Sequence, residues 1–303
     1  MIKAHKLKNL LENHFFSDLK LKSYKTKTIP AKKLLTFNRF DIAFKLVYLE
    51  MLHFDAQFTK DIYKEHIRAF SLGKFIEPAN DNKKSFEKFV NDFNETFEDI
   101  KKNGFDNCKT LIPLSKNGSI ANGAHRVASA IFLKKTVDCV QIETDDHIYD
   151  YKFFYDRNVS AEILDLVATR FVEYADNMHI VFLWPTAKGH DKEIENIIPN
   201  IVYRKEMVLT PNGAHNLLSQ TYYGEEWLGN VENDFKGAKS KLAECFKSFD
   251  PVRVVAFQAD GLDEAFKIKN KIRVLFNVGK HSVHITDTKE EAARVARVIF
   301  NNN

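Results

Sequence analysis

The amino-acid sequence predicts an α/β protein of two domains. Its length of 303 residues suggests two domains, and an apolar content of 44% suffices for a sizeable core. Stretches with the apolar period of a helix alternate with short apolar runs, a pattern typical of layered α/β structure rather than of a helical bundle or an all-β fold. We place the domains at residues 1–160 and 161–303, and the absence of a Gly/Ser-rich linker predicts that they pack closely.

Cysteine usage and hydropathy favour a cytoplasmic location. The three cysteines are far apart, and none belongs to a CxxC pair: Cys108, Cys139 and Cys245. They therefore indicate neither a disulfide framework nor a zinc site. No run of about 18 apolar residues occurs, and the start of the chain lacks the apolar core of a signal peptide. The sequence thus predicts a soluble protein without a transmembrane segment.

Positive charge is concentrated at the N-terminus. Residues 1–40 hold ten Lys and Arg against Glu12 and Asp18, a balance of +8, and since the whole chain carries +4 the remainder sums to −4. Such a segment can contact nucleic acid, an acidic membrane surface or a polyanionic substrate. Its lysines are interleaved with Leu and Phe, however, which is typical of a solvated face. Because no helix-turn-helix pattern accompanies it, the sequence does not favour nucleic acid as a partner.

The first domain begins with helices. Apolar spacing predicts helical structure over residues 40–72, and Pro78 then breaks the pattern. Ser85 or Asn82 caps a further helix, which Gly104 closes. Aromatic and apolar residues recur in that helix at core-facing spacing: Phe86, Phe89, Val90, Phe93 and Phe97.

The next segment joins a strand to a helix through residue types that suit an anion. A strand is predicted at 110–114, a hairpin turn at Asn117-Gly118, a helix from about 124 and another strand at 136–142. The helix opens on a short motif, here named the box: Asn122, Gly123, Ala124, His125 and Arg126. Free N–H groups at a helix start, the helix dipole and a forked guanidinium all favour a phosphate. The alternative interpretation is a tight turn with an arginine in the first helical turn.

This order of elements resembles the ParB/sulfiredoxin superfamily over about residues 60–145. In that superfamily a Gly-x-His-Arg type of box opens a helix and holds nucleotide phosphates. The box is closest in kind to the Gly-His-His-Arg and Gly-Cys-His-Arg forms of free-serine kinases and sulfiredoxins. Its middle position is Ala124 here, so sulfiredoxin cysteine chemistry is excluded at that position.

The resemblance implies a ParB/sulfiredoxin-like first domain that binds ATP, or another nucleoside triphosphate, with Mg²⁺. It implies that residues 122–126 hold the phosphates, with His125 and Arg126 acting in catalysis. In the kinases of this superfamily a glutamate before the preceding helix is the proposed general base, and Glu77 matches its place in the element order. Three other carboxylates compete for that role: Glu50, Glu65 and Glu87.

The second domain alternates helices and strands. Helices are predicted over 161–175, 190–198, 211–221, 232–247, 262–276 and 288–300, and strands over 179–184, 201–203, 252–257 and 282–285. The alternation predicts a second α/β domain with a mostly parallel sheet, whose ligands gather at the carboxyl ends of the strands. An additional strand over 149–154 would end the first domain.

Polar residues follow the strands of this second sheet. Lys188 and His190 come after the first strand and could bind phosphate. His281, His284 and Asp287 flank the last strand and could bind phosphate or a metal ion. Because His281 and His284 differ by three, they face opposite sides of an ideal strand, which counts against joint metal ligation. For Asp287 the alternative is a helix N-cap.

Residues 279–288 are similar to a segment of proteins that make bacterial capsule and surface polysaccharides. With the box, this predicts a cytoplasmic small-molecule kinase of that pathway, in which the second domain binds a sugar, polyol or amino-acid acceptor. One alternative is a glycosyl- or nucleotidyltransferase of the same pathway. Another is a non-catalytic ParB-like module that binds nucleotide or DNA.

Overall fold

The computed structural model describes residues 1–77 and 82–301, in two compact units, Met1–Ala175 and Asp176–Asn303. The division falls later than the predicted boundary at 160 because the helix over 161–174 packs within the first unit. There Phe171 stacks on Phe40 at 5.9 Å, and Arg170 pairs with Glu50 at 2.8 Å. Within the described ranges, no helix combines the length and the apolarity needed to cross a membrane.

The first unit contains seven α-helices, two short 3-10 helices (Asn13–Asp18 and Ala31–Leu34) and five strands among its described residues. In chain order the α-helices and strands are β1 (Ile2–Lys3), α1 (Ala4–Leu7), β2 (Ser23–Tyr24), β3 (Thr26–Pro30), α2 (Asp41–Met51), α3 (Ala56–Phe70), α4 (Phe86–Asn103), β4 (Ile112–Leu114), α5 (Ala124–Phe132), β5 (Thr136–Gln141), α6 (Tyr151–Tyr155) and α7 (Ala161–Tyr174). Strand β5 lies between β3, to which it is antiparallel, and β4, to which it is parallel. Strands β1 and β2 form a separate antiparallel pair.

The predicted helix after residue 82 is confirmed as α4. Its N-cap is Ser85, whose hydroxyl accepts from the backbone N–H of Lys88 at 3.3 Å. Phe89, Val90 and Phe93 are buried, as their spacing predicts. Gly104 follows the helix with φ 81°. The break predicted at Pro78 lies outside the described residues.

The strand predicted over 149–154 is wrong, because most of this segment is helix α6. Asp150 caps the helix by accepting from the backbone N–H of Phe153 at 2.9 Å. Phe154 packs against Phe44 of α2, with 4.7 Å between ring centroids. The N-cap formed by Asp150 and the packing of Phe154 on the core are both satisfied by a single helical turn. They therefore favour a helix over an extended strand.

A buried polar cluster joins α2 to α3. Its four members are almost fully excluded from solvent: Arg39 (2% exposed), Asp41 (1%), Lys45 (3%) and His66 (2%). Arg39 bonds both carboxylate oxygens of Asp41, at 2.8 and 2.9 Å, and also donates to the carbonyl of Ile120. Nζ of Lys45 lies 3.4 Å from Asp41 and 3.4 Å from Nε2 of His66. Asp41 is therefore the counter-charge of two buried cations.

The second unit contains β6 (Met178–Leu183), α8 (Asp191–Ile197), β7 (Ile201–Met207), α9 (Pro211–Thr221), α10 (Lys236–Cys245), β8 (Val252–Gln258), α11 (Leu262–Phe276), β9 (Val283–Ile285) and α12 (Lys289–Ile299). The predicted helices and strands are thus present. The prediction of a mostly parallel sheet is wrong, because the strands run in the order β7-β8-β6-β9 with every neighbouring pair antiparallel.

The strand order explains this difference. Strand β8 lies between β6 and β7, and β6 lies between β8 and β9, so each βαβ connection spans an inserted strand. Two such split βαβ units interleave, as in ferredoxin-like sheets. Helices α8 and α11 cover one face through an apolar cluster that includes Val181, Ile194 and Ile268. On the opposite face Phe182 stacks on Trp184 at 5.3 Å.

Replacing Asp41 by Asn should destabilise the protein by about 3–5 kcal/mol, because it removes the counter-charge of buried Arg39 and Lys45. The free energy of unfolding in urea measures this. Glu98→Gln is the matched control, since its ion pair with Lys101 is exposed, and it should change stability by less than about 1 kcal/mol. Equal stability of the two variants would contradict the role given to Asp41.

Candidate functional site

The box lies at the start of α5, where the sequence predicts it. Gly123 has φ 92° and precedes Ala124, the first helical residue. This left-handed backbone favours glycine, and a Cβ at position 123 would also displace the Cδ1 of Ile112, which would lie 2.8 Å away. No side chain caps the helix, and the carboxamide of Asn122 accepts from the N–H of Gly123 at 2.5 Å. The first turn of α5 therefore presents uncapped N–H groups, which favour an anion.

Arg126 folds back over Gly123 and binds a carboxylate. Its Nη2 lies 2.8 Å from Oε1 of Glu12, and its Nη1 donates to the hydroxyl of Thr110. A Cβ on Gly123 would be 2.9 Å from the same Nη2 atom, so the guanidinium lies against the helix N-terminus. Oε2 of Glu12 is buried and has no hydrogen-bond partner among the described residues. Glu12 is thus an internal anion at the box.

The His125 side chain points into the helical layer. Its Nε2 is 2.6 Å from the hydroxyl of Tyr63, and its ring packs on Phe93 with 4.7 Å between centroids. Burial, together with the nearby Lys45 and Lys83, holds the pKa of His125 well below its usual range. Burial also raises the pKa of Tyr63 well above its usual range. Both groups are therefore neutral near pH 7, and the imidazole positions the box without adding a positive charge to it.

Glu77 is held beside the same helices by Lys83. The two side chains pair at 3.4 Å, and the backbone N–H of Glu77 donates to the carbonyl of Lys83 at 3.1 Å. Buried Lys83 also lies 3.9 Å from Asp92. The negative charges of Glu77 and Asp92 contribute to the raised pKa of Tyr63, the partner of His125. The charge of Glu77 therefore acts on Tyr63, whose hydroxyl contacts His125 of the box.

The competing carboxylates have other partners or lie at the surface. Glu50 pairs with Arg170 at 2.8 Å, and Glu65 pairs with Arg68 at 2.8 Å. Glu87 is exposed in the first turn of α4. Glu50 and Glu65 are thus ion-paired as Glu77 is, and the role that the superfamily resemblance implies for Glu77 stays a prediction.

Three of the five polar residues predicted for the second domain share a cleft. Two adjoining cavities, of about 370 and 560 Å³, are both lined by Tyr222, Glu225, His284 and Asp287. His281 lines the larger cavity, which also has four cationic residues on its wall: Lys241, Lys269, Arg273 and Lys280. We name this larger cavity the cationic cleft.

His281 and His284 line one cavity although the sequence spacing predicts opposite faces. His281 ends a short 3-10 helix (Gly279–His281) ahead of β9, so strand alternation does not apply to it. His284 is buried, with Nε2 2.9 Å from Glu291, and burial lowers its pKa. Asp287 does not cap α12, because the N-cap is Thr288. Instead Asp287 pairs with Lys269 at 3.3 Å.

Lys188 and His190 do not line the cleft, so the five polar residues that follow or flank the strands do not lie together. Lys188 pairs with Asp250. His190 lies 3.5 Å from Glu193 and packs on Phe276, with 5.4 Å between centroids. Both follow β6. Because β6 and β9 are antiparallel, the end of β6 lies beside the start of β9, and Asp287, which follows β9, lies at the opposite edge of the sheet.

The sequence does not single out Glu12, Tyr63 or Arg273. Glu12 is one of only two acids in the basic segment 1–40, and this isolation marks it in the sequence. Its pairing with Arg126, which is 114 positions away, cannot be predicted from one sequence. Tyr63 and Arg273 occupy ordinary positions of amphipathic helices, where the pattern does not distinguish a site residue from a packing residue.

No protein-family model, curated protein or solved structure matches the chain. The function is therefore inferred from the residues and contacts described above.

Tyr63→Phe should destabilise the protein by about 1–3 kcal/mol, because it leaves the inward-facing Nε2 of His125 without its partner. Urea denaturation measures the effect. Tyr155→Phe is the matched control: its side chain is exposed, so the same chemical change should cost less than about 0.5 kcal/mol. A Tyr63→Phe protein as stable as this control would contradict the positioning role.

Proposed function

We propose that the protein is a nucleotide-dependent small-molecule kinase that transfers a phosphoryl group from ATP, or another nucleoside triphosphate, to a hydroxyl of a sugar, polyol or amino acid. The observation that carries the proposal is the Arg126 guanidinium, held over the uncapped N-terminus of α5 and already binding a carboxylate. A phosphate oxygen has the same charge sign as the Glu12 carboxylate, and it would take the place of Oε1 of Glu12 at Nη2 of Arg126. The superfamily resemblance of residues 60–145 supports the same assignment.

In this proposal the chain's own groups bind and orient. The N–H groups of the first turn of α5 and the guanidinium of Arg126 hold the phosphates, after Glu12 has withdrawn. Mg²⁺ would shield the phosphate charge. Because the described residues include no group of three or more His, Cys, Asp or Glu arranged for a metal, the ion would be held mainly by phosphate oxygens and water.

The proposed transfer is a direct displacement. The acceptor oxygen attacks the terminal phosphorus, the bond from that phosphorus to the bridging oxygen breaks, and the nucleoside diphosphate leaves. The proton of the acceptor hydroxyl passes to the carboxylate of Glu77 and then to water. The resemblance of residues 279–288 to surface-polysaccharide proteins supports an acceptor from that pathway.

A second candidate is a non-catalytic nucleotide-binding module. The observation in its favour is that Glu77 is paired with Lys83, with Asp92 close to the same ammonium. One assay separates the candidates: incubation with ATP, GTP or CTP, Mg²⁺ and a panel of sugars, polyols and serine. A kinase yields the diphosphate and a phosphorylated acceptor, a nucleotidyltransferase releases pyrophosphate, and a binding module is stabilised against heat by nucleotide without turnover.

Arg126→Ala should weaken ATP binding by about tenfold or more, because it removes a charge-assisted bond. Arg126→Lys should be nearly as damaging, since a point charge does not replace the guanidinium fork. Glu12→Gln should instead tighten binding several-fold, because the competing carboxylate is gone. Calorimetry measures all three affinities. Asp18→Asn controls for the change in net charge, and a Glu12→Gln affinity no tighter than that of this control sinks the phosphate-site assignment.

Glu77→Gln should lower turnover by about 100-fold while leaving ATP affinity unchanged, because a general base acts on the acceptor and not on the nucleotide. Initial rates of diphosphate formation and calorimetric titration give the two quantities. Glu87→Gln makes the same change at an exposed position nearby and should retain full activity. Wild-type turnover in the Glu77 variant would transfer the role to another carboxylate.

A further inference from the structure

The cationic cleft of the second unit is lined by four cations and by three carboxylates, Glu225, Glu244 and Asp287. Of its four cations, Lys269 pairs with Asp287 at 3.3 Å and also donates to the carbonyl of Ile285 at 3.1 Å. Nζ of Lys241 donates to an uncharged group, the carbonyl of Lys280, at 3.2 Å and lies 5.5 Å from the centroid of the Tyr222 ring. Nε of Arg273 is buried and has no hydrogen-bond partner in the described part of the chain.

Burial lowers the pKa of Lys241. The positive charges of Lys280 and Arg273 also lower this pKa, whereas the Glu244 carboxylate and Cys245 raise it. Nδ1 of His281, on the wall of the same cavity, is also buried without a partner among residues 1–77 and 82–301. Several cations around one cleft, with the buried N–H of Arg273 unsatisfied among the described residues, favour a ligand that is an anion and a hydrogen-bond acceptor.

The other residues that line the cleft suit a ligand with several hydroxyl groups. The rings of Tyr222 and Trp227 meet edge to face at 5.0 Å, and both line the cavity. Ser240, Glu225 and Glu244 add hydroxyl and carboxylate groups that can bond to ligand hydroxyls. A volume of about 560 Å³ lies in the range of small-molecule sites.

We infer that the cationic cleft binds a phosphate ester of a sugar or polyol, with the phosphate against Arg273, Lys241 and Lys280 and the hydroxyl-bearing carbons against Tyr222 and Trp227. The inference deepens the proposed function. It rests on that function only in identifying the phosphate ester as the acceptor of the phosphoryl group. Binding itself requires neither nucleotide nor the box.

The test is calorimetric titration of the full chain, without nucleotide, with glucose 1-phosphate, glucose 6-phosphate, ribose 5-phosphate and glycerol 3-phosphate. The parent sugars, glycerol and inorganic phosphate are titrated in parallel. At least one ester should bind about tenfold or more tightly than both its parent and inorganic phosphate. If every ester binds no better than inorganic phosphate, or no better than its parent, the inference is overturned.

Variants then locate the site. Arg273→Ala should weaken ester binding by about tenfold or more. Lys271→Ala, which removes the same charge from an exposed position of the same helix, should leave it unchanged. Lys280→Ala is a second cleft variant with an exposed side chain and should weaken binding several-fold without disturbing the fold. Equal affinity in the two cleft variants and the Lys271 control would overturn the assignment.

The box variant Arg126→Ala separates this inference from the proposed function. It should retain ester binding in full while losing nucleotide affinity. If the ester instead loses affinity in Arg126→Ala and keeps it in Arg273→Ala, the ester binds at the box and the cleft assignment is wrong. Ester binding in the cleft together with an absence of phosphoryl transfer would contradict the kinase proposal alone.

Discussion

The buried guanidinium of Arg39 fixes the part of the first unit on which the box depends. It binds both carboxylate oxygens of Asp41 at the start of α2 and, through a separate N–H, the carbonyl of Ile120 just before the box. The same charge cluster continues through Lys45 to His66, whose ring stacks on that of Tyr63, the partner of His125. The strand side and the helix side of the box are therefore both tied to α2. Because two buried cations share one carboxylate, removing Asp41 is costly, and the cluster defines a single arrangement of these elements.

The two candidate sites differ in how their cations are neutralised before a ligand binds. At the box the chain supplies its own anion, Glu12, so the Arg126 guanidinium is neutralised in the absence of ligand. In the cationic cleft Arg273 has a buried Nε without a hydrogen-bond partner among the described residues, and Nζ of Lys241 donates to a carbonyl and lies over the ring of Tyr222. A ligand at the box must displace a carboxylate, whereas an anion in the cleft would meet a guanidinium with an unused donor. On the proposed function, the first site would respond to movement of the N-terminal segment, and the second would be ready to bind without rearrangement.

Local sequence signals predicted most of the elements and the position of the box. The capping hydroxyl of Ser85, the apolar period of α4 and the glycine at 123 each act over a few residues and are readable directly. Strand order could not be predicted from the sequence. The same alternation of helices and strands is compatible with a parallel sheet and with two interleaved split βαβ units. The Glu12 to Arg126 pair and the helix at Tyr151 depend on tertiary contacts that short-range patterns do not encode.

The most direct test of the phosphate site is titration of isotope-labelled protein with ATP and Mg²⁺, followed by NMR of backbone amides and arginine side chains. The account predicts that the amides of Ala124 and His125 and the Nε–H of Arg126 shift on saturation. It also predicts that the amides at the start of α4, which Ser85 caps, remain unchanged. Saturable shifts confined to residues remote from the box, with Ala124, His125 and Arg126 unaffected, would contradict it.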